Sequence, residues 1–189
     1  MPYKISCIVL AAGSSSRFHE DKLSYEINGN KLIDITLNKL KDLIFYNIVV
    51  VTGNDYIIDK AKSYGYKIAI NKNPELGQSL SIKLGIKETD ESDGYMFIVS
   101  DQPNLTKETI IRLMDTFIKN PESIIVPKSS NGFGNPVIFP KSLINEFNTL
   151  TGDMGGKYIT KNNLSKVITV DVNENELLDI DTKDDIKKI

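Results

Sequence analysis

Near the start of the chain, small residues run straight into basic ones: Leu10-Ala11-Ala12-Gly13-Ser14-Ser15-Ser16-Arg17, with Lys22 a few residues on. Such a loop lets backbone N–H groups approach a triphosphate closely, while Arg17 and Lys22 neutralise its charge. The same residues also suit a Gly/Ser turn followed by solvated charges. The loop has neither the Gly-Lys-Ser/Thr ending of a Walker loop nor the G-x-G-x-x-G dinucleotide fingerprint, so any phosphate cradle here is of another kind. A second candidate is Asp101 in Ser100-Asp101-Gln102-Pro103, which follows an apolar run. A carboxylate there can hold Mg²⁺ against phosphate oxygens, or cap the turn before a helix. Asp179 and Asp181, two residues apart, offer a further metal carboxylate if the segment is extended. Alternatively they form a charge cluster at the start of a helix near Thr182.

Other polar stretches are less specific. Asn73-Pro74-Glu75-Leu76-Gly77-Gln78-Ser79-Leu80-Ser81 offers hydroxyls and amides that read a base or ribose, or merely cap a helix. Gly132-Phe133-Gly134-Asn135-Pro136 and Thr151-Gly152-Asp153-Met154-Gly155-Gly156 read as polar loops, the usual carriers of binding work. One histidine, His19, and one distant cysteine, Cys7, do not make a zinc ligand set. With its only histidine inside the candidate phosphate loop, the chain has no credible Ser/His/Asp triad. Cys7 lies in an apolar run, where it reads as a small buried hydrophobe.

These residues need a scaffold, and the hydrophobic pattern supplies one. Strands are expected at residues 5–10, 47–52, 67–70, 95–99, 123–126, 136–139 and 167–170. Between them, helical spacing runs from about Lys31 through Leu43, over residues 55–64 and 80–87, and from an N-cap at Thr106 to about Lys119. Thr109 stands where a capping box would have Glu or Gln, so the box is incomplete. Strands alternating with helices predict an α/β chain: a mostly parallel sheet covered on both faces. Ligands then bind beyond the carboxyl ends of the strands, where the loop at Ala12 and the acid Asp101 would fall.

Composition sets the outer limits. The chain has 189 residues, 40% of them hydrophobic, enough for one domain over residues 1–189 with a substantial core. A net charge of −2 gives no general electrostatic reason to bind nucleic acid. The first apolar run is too short for a signal peptide or a membrane span, so no membrane association and a cytoplasmic location are expected.

Taken in order, the motifs resemble those of the MobA-like NTP transferases, and within them the molybdenum cofactor cytidylyltransferase (MocA-like) branch. The opening L-A-x-G-x-S-x-R-M-G-x-x-K is matched by LAAGSSSRFHEDK at Leu10 to Lys22, and N-P…G…S…L…G by NPELGQSLSIKLG at Asn73 to Gly85. SDQP at Ser100 to Pro103, GNPVIF at Gly134 to Phe139, LTGDMG at Leu150 to Gly155 and DIDT at Asp179 to Thr182 complete the series. The chain departs from it at Phe18-His19, in place of Met-Gly, and at Ser100, in place of glycine.

The resemblance implies a three-layer α/β/α, Rossmann-like nucleotidyltransferase fold. It also implies that the acceptor's phosphate attacks the α-phosphorus of a nucleoside triphosphate and pyrophosphate leaves. Leu10, Ala11, Ala12, Gly13, Ser14, Arg17 and Lys22 would hold the triphosphate, and Ser79 and Ser81 the base and ribose. Asp101 would bind Mg²⁺, with Asp179 or Asp181 as a second metal carboxylate, while Gln102, Asn135 and Asp153 would face the acceptor. Ala12 looks like the CTP-using branch, where the GTP users carry glycine. The expected partners are CTP or another NTP, molybdenum cofactor as acceptor, and a molybdoenzyme or its chaperone as recipient. The alternatives are a GTP-using guanylyltransferase, a sugar- or alditol-phosphate nucleotidyltransferase, and a nucleotide-binding regulatory domain without turnover.

Overall fold

The structure, a computed structural model, describes residues 3–13 and 22–188. Ser14, Arg17 and the Phe18-His19 departure lie outside the described residues. The first strand, β1 (Ile5–Leu10), is buried almost throughout, which is why it reads as a continuous apolar run without alternation. It lies in the middle of an eight-stranded sheet. On one side it pairs in parallel with β4 (Ile48–Thr52), which pairs in parallel with β5 (Lys67–Ile70). On the other it pairs in parallel with β6 (Gly94–Val99). Beyond β6 come β9 (Val137–Pro140), β7 (Ile124–Ser129) and β10 (Val167–Asp171). β9 runs antiparallel to both neighbours, so the sheet is mixed but mostly parallel.

Two short features have no strong sequence signal. β2 (Glu26–Ile27) and β3 (Asn30–Lys31) form a small hairpin off the main sheet, and β8 (Gly132–Phe133) pairs with the end of β7. The turn between β2 and β3 uses Asn28 and Gly29, both at positive φ, as tight hairpins demand.

Helices cover both faces. α1 (Leu32–Leu40), α2 (Asp55–Ser63) and α4 (Lys107–Lys119) pack Leu32, Leu37, Ile57, Leu113 and Phe117 onto the face presenting Ile5, Cys7, Val9, Val50 and Met96. α3 (Gln78–Glu88), α5 (Gly156–Asn162) and the 3₁₀ segment Lys141–Thr149 cover the other face, where Ile8, Val51, Phe97, Phe139 and Phe147 meet Ile82 and Ile159. The expected α/β/α, Rossmann-like layering is therefore observed. α3 sits close to the sheet because Gly85 has no side chain: a Cβ there would fall 2.4 Å from Ile8 Cγ2. Cys7 is fully buried, and burial pushes its thiol pKa far above the ordinary range, which leaves it inert.

The start of α4 shows how a distant residue replaces a missing local one. Thr106 Oγ1 accepts from Thr109 N–H at 3.1 Å, as an N-cap should. The reciprocal carboxylate comes from Glu176, whose Oε2 accepts from Thr106 N–H at 3.1 Å and from its hydroxyl at 2.7 Å. Burial pushes the Glu176 carboxyl upward, but the hydrogen bonds from Thr106 and Thr109 outweigh it and hold the pKa below its usual value. The helix expected near Thr182 is only a short 3₁₀ turn, Asp185–Lys188. Asp185 caps the approach to it by accepting from the Asp181 and Thr182 N–H groups, so Asp181 is not in a helical first turn.

Candidate functional site

The chain moves outward from β1 through β4 to β5 and then returns across β1 to β6, so the connections diverge between the carboxyl ends of β1 and β6. A crevice is expected at such a switch point. A cavity of about 250 Å³ opens there. Leu10, Ala12 and Gly13 line one side of it, Val99, Ser100 and Asp101 another, and Pro74, Gly77, Gln78, Ser81 and Asp153 close it, with Lys22 at its edge.

Ser100, where the resemblance would have glycine, is buried and donates its hydroxyl to the Leu10 carbonyl at 3.1 Å. The added side chain thus ties β6 to β1 beneath the cavity. Ala11 is buried, and its N–H is committed to the Val51 carbonyl at 2.9 Å, so of the opening residues Leu10, Ala12 and Gly13 line the cavity and Ala11 does not. Ser81 lines the cavity and accepts from Asn71 Nδ2 at 2.9 Å. Ser79 is buried and does not line it; its N–H donates to the Gly152 carbonyl at 3.0 Å. That bond locks the loop before α3 to the loop before α5. Gly77 makes the lock possible: its φ is +89°, and a Cβ there would lie 2.3 Å from the Gly152 carbonyl carbon.

At the acid end, Lys22 Nζ lies 2.8 Å from Asp101 Oδ2 and 3.4 Å from Asp181 Oδ1. Asp101 Oδ1 is buried and has no hydrogen-bond donor among the described residues. A carboxyl oxygen left this way suits a cation, and Mg²⁺ commonly takes one or two carboxylates and completes its shell with phosphate oxygens and water. Among the described residues no three His, Cys, Asp or Glu side chains gather as a metal cage. Asp101, Asp179 and Asp181 are therefore not a preformed three-carboxylate site, and any metal here needs ligands from a substrate.

Asp179 and Asp181 reach this edge because residues 177–181 run alongside the loop after β6. Ile180 N–H donates to the Asp101 carbonyl at 2.9 Å, and Gln102 Nε2 donates to Asp179 Oδ1 at 2.9 Å. Burial raises the Asp179 pKa, and the negative charge of Asp101 raises it further, outweighing the Gln102 hydrogen bond.

A second, larger cavity of about 540 Å³ shares Gln102 and Asp179 with this edge and extends over β7, β8 and α5. Asn135 lines it. Of the three residues expected on the acceptor side, Gln102 and Asn135 fall here, whereas Asp153 lines the first cavity. Gln78 and Phe133, inside stretches the sequence already singled out, line the first and second cavities respectively. Sequence reasoning missed Lys157 and Lys161 in the second, which lie just beyond the stretch ending at Gly156 and which only the fold brings to the cavity. No helix among the described residues is long and apolar enough to cross a membrane.

Residues 7–167 match the MobA-like NTP transferase domain. The probable molybdenum cofactor guanylyltransferase of Pyrococcus horikoshii is 29% identical over 160 residues, 82% of this chain and 78% of that protein. Its counterpart from Thermococcus gammatolerans is 27% identical over 132 residues, 68% of this chain and only 65% of its own length. The purine catabolism protein PucB of Bacillus subtilis is 24% identical over 197 residues, 97% of this chain and 94% of that one. Among solved structures, Rv0371c from Mycobacterium tuberculosis superposes with a TM-score of 0.85 at 23% identity, over 98% of this chain and 96% of its own. A second structure of that protein, in complex with manganese, superposes at 0.80 and 21% identity, over 98% and 97%.

Proposed function

The chain belongs to the MobA-like NTP transferase domain family, and on that premise we propose that it transfers a nucleotide from a nucleoside triphosphate to the phosphate of molybdenum cofactor. The observation that carries this reading is the switch-point cavity, which Ala12, Gly13 and Lys22 of the opening motif share with Asp101, whose Oδ1 has no hydrogen-bond donor among the described residues. The names of the Pyrococcus horikoshii and Thermococcus gammatolerans relatives support molybdenum cofactor as the acceptor.

In this reading the triphosphate lies over Ala12 and Gly13. Lys22 trades part of its contact with Asp101 and Asp181 for phosphate oxygens, and Arg17, in the same loop by sequence, adds a second positive charge. Ser81 and Gln78 lie where a ribose or base edge would rest. A terminal phosphate oxygen of the acceptor attacks the α-phosphorus, the bond from that phosphorus to the bridging oxygen of the β-phosphate breaks, and pyrophosphate carries the electron pair away. Dianionic phosphate needs no general base, so the protein's work is positioning and charge neutralisation. A Mg²⁺ or Mn²⁺ ion held by Asp101 and the phosphates would polarise the α-phosphate and offset charge on the leaving group. The manganese complex of the structural neighbour is consistent with a divalent ion in this fold.

The relatives named guanylyltransferases favour GTP as donor. CTP is the second reading, favoured by the methyl group of Ala12 on the cavity wall, where glycine would leave more room. Pyrophosphate release with Mg²⁺ and molybdenum cofactor, measured in turn with GTP, CTP and ATP, separates the two. Release with one of the first two, falling about 100-fold or more in Lys22→Ala, is expected. Lys22→Ala turning over at the normal rate would remove the role given to that residue.

A further inference from the structure

Lys39 lies on α1 but is not placed like a helix-surface lysine, whose ammonium group ordinarily reaches water past an apolar stem. It is partly buried, it lines neither cavity, and its Nζ donates to the carbonyl oxygen of Pro103 in the loop after β6. Burial pushes its pKa down to about 8, and the charge of Glu176 opposes the fall. Taking an ammonium group out of water is costly, and a backbone carbonyl two residues beyond Asp101 offsets that cost here. An unbranched apolar side chain would fill the same position without it, so packing alone does not call for the charge.

Three stretches that each bring a piece of the acid edge meet around this bond. α1 follows the opening motif with Lys22, the loop after β6 carries Asp101, and residues 176–181 carry Asp179 and Asp181. The loop is fastened to residues 176–181 along its length. Ile180 N–H donates to the Asp101 carbonyl at 2.9 Å, and Thr106 donates both its N–H and its hydroxyl to Glu176 Oε2. Lys39 supplies a hold from α1, between those two points. The ring of Pro103 fixes one of the backbone dihedrals that separate its carbonyl from Asp101, so a hold on that carbonyl is passed to the acid through a stiff backbone.

We propose that Lys39 is a positioning residue for the divalent cation: by holding the Pro103 carbonyl to α1, it sets where the Asp101 carboxylate stands relative to the phosphates of a bound triphosphate. Lys39 acts through the loop and touches neither substrate nor metal. Without its N–H the loop stays fastened to residues 176–181 and the chain still folds, but Asp101 is free to move out of register with the phosphates. The opening motif holds the triphosphate itself, so binding without metal does not depend on Lys39. The inference rests on the transfer reading and adds a residue outside both cavities to it.

The test is calorimetric titration of the full chain with GTP and with CTP, each in Mn²⁺ and in EDTA. The quantity read is the factor by which Mn²⁺ tightens binding. For at least one triphosphate that factor should be about tenfold or more in the wild type, the usual size of coupling between two ligands. Lys39→Met keeps the length of the side chain and removes its N–H. It should bring the factor below about threefold, while the affinity in EDTA stays within about twofold and the melting temperature does not fall. Lys39→Arg, which can still donate to the carbonyl, should restore most of the factor. An unchanged factor in Lys39→Met, or no effect of Mn²⁺ on the wild type, would overturn the proposal. So would an equal loss of affinity in Mn²⁺ and EDTA with a lowered melting temperature, since that is the mark of packing alone. If the Mn²⁺ effect depends on Lys39 but no acceptor-dependent pyrophosphate release is seen, the transfer reading fails and the positioning role stands. Release by the wild type with a factor indifferent to Lys39→Met would do the opposite.

Discussion

Lys22 is held by two carboxylates, and the geometry at its ammonium group puts the cation of the opening loop and the acid after β6 in one place although 79 positions separate them. Both residue types were legible in the sequence as phosphate and metal chemistry. Their contact was not, because nothing in the local pattern says that the ends of β1 and β6 are neighbours. Asp179 was legible only as one of two open readings, and its neighbours give it a measurable property. Burial and the adjacent charge of Asp101 raise its pKa, so the folded protein holds a proton there more tightly than the unfolded chain does. Stability from this group is therefore greatest below the ordinary carboxylate pKa and declines as pH rises through the raised value. Asp179→Asn, which keeps an oxygen for Gln102, should raise the melting temperature at neutral pH. The gain should shrink to nothing as the pH falls below the ordinary carboxylate range. A gain independent of pH, or a loss at neutral pH, would contradict the assignment of burial and charge as its cause.

At the scale of elements, the buried parallel strands and the helices α2, α3 and α4 were legible within a residue or two, except that β7 continues to Ser129, three residues past its expected end, because an unbroken β-branched run and a one-sided apolar stripe have few other uses. The antiparallel direction of β9 was not, since GNPVIF reads the same either way. The hairpin of β2 and β3 and the 3₁₀ segment Lys141–Thr149 were missed because each is short or lacks a clean period. The capping partner of α4 could not be seen locally, as Glu176 arrives from 70 residues downstream. The joint between the loops before α3 and α5 belongs to this scale as well. Gly77 adopts φ +89° and ψ 176°, a conformation essentially reserved for glycine, with the Gly152 backbone directly against it. Gly77→Ala should cost about 2 kcal/mol or more, since it adds both backbone strain and a clash. By displacing Ser81, Gln78 and Asp153 together, it should also weaken nucleotide binding at least tenfold. Thermal melting and a nucleotide titration check the two effects, and an unchanged affinity would show that the joint does not shape the first cavity.

The whole molecule places its chemistry where the chain reverses its order of strands. One cavity lies at that reversal, and a second adjoins it through Gln102 and Asp179. The layered α/β/α architecture was legible from the alternation of strands and helices, and the family from motifs spread along the chain in a fixed order. The division of labour between two cavities was not legible: GNPVIF and LTGDMG lie close in sequence, yet Asn135 lines the second cavity and Asp153 the first. If the two cavities hold acceptor and nucleotide, the product must join them through a new phosphoanhydride bond. Mass spectrometry of molybdenum cofactor after incubation with the protein, Mg²⁺ and GTP or CTP tests this most directly. The expected result is an acceptor heavier by one nucleoside monophosphate, formed in step with pyrophosphate and absent with Lys22→Ala. Acceptor recovered at its original mass with both triphosphates, from folded protein that binds them, would contradict nucleotidyl transfer to this acceptor.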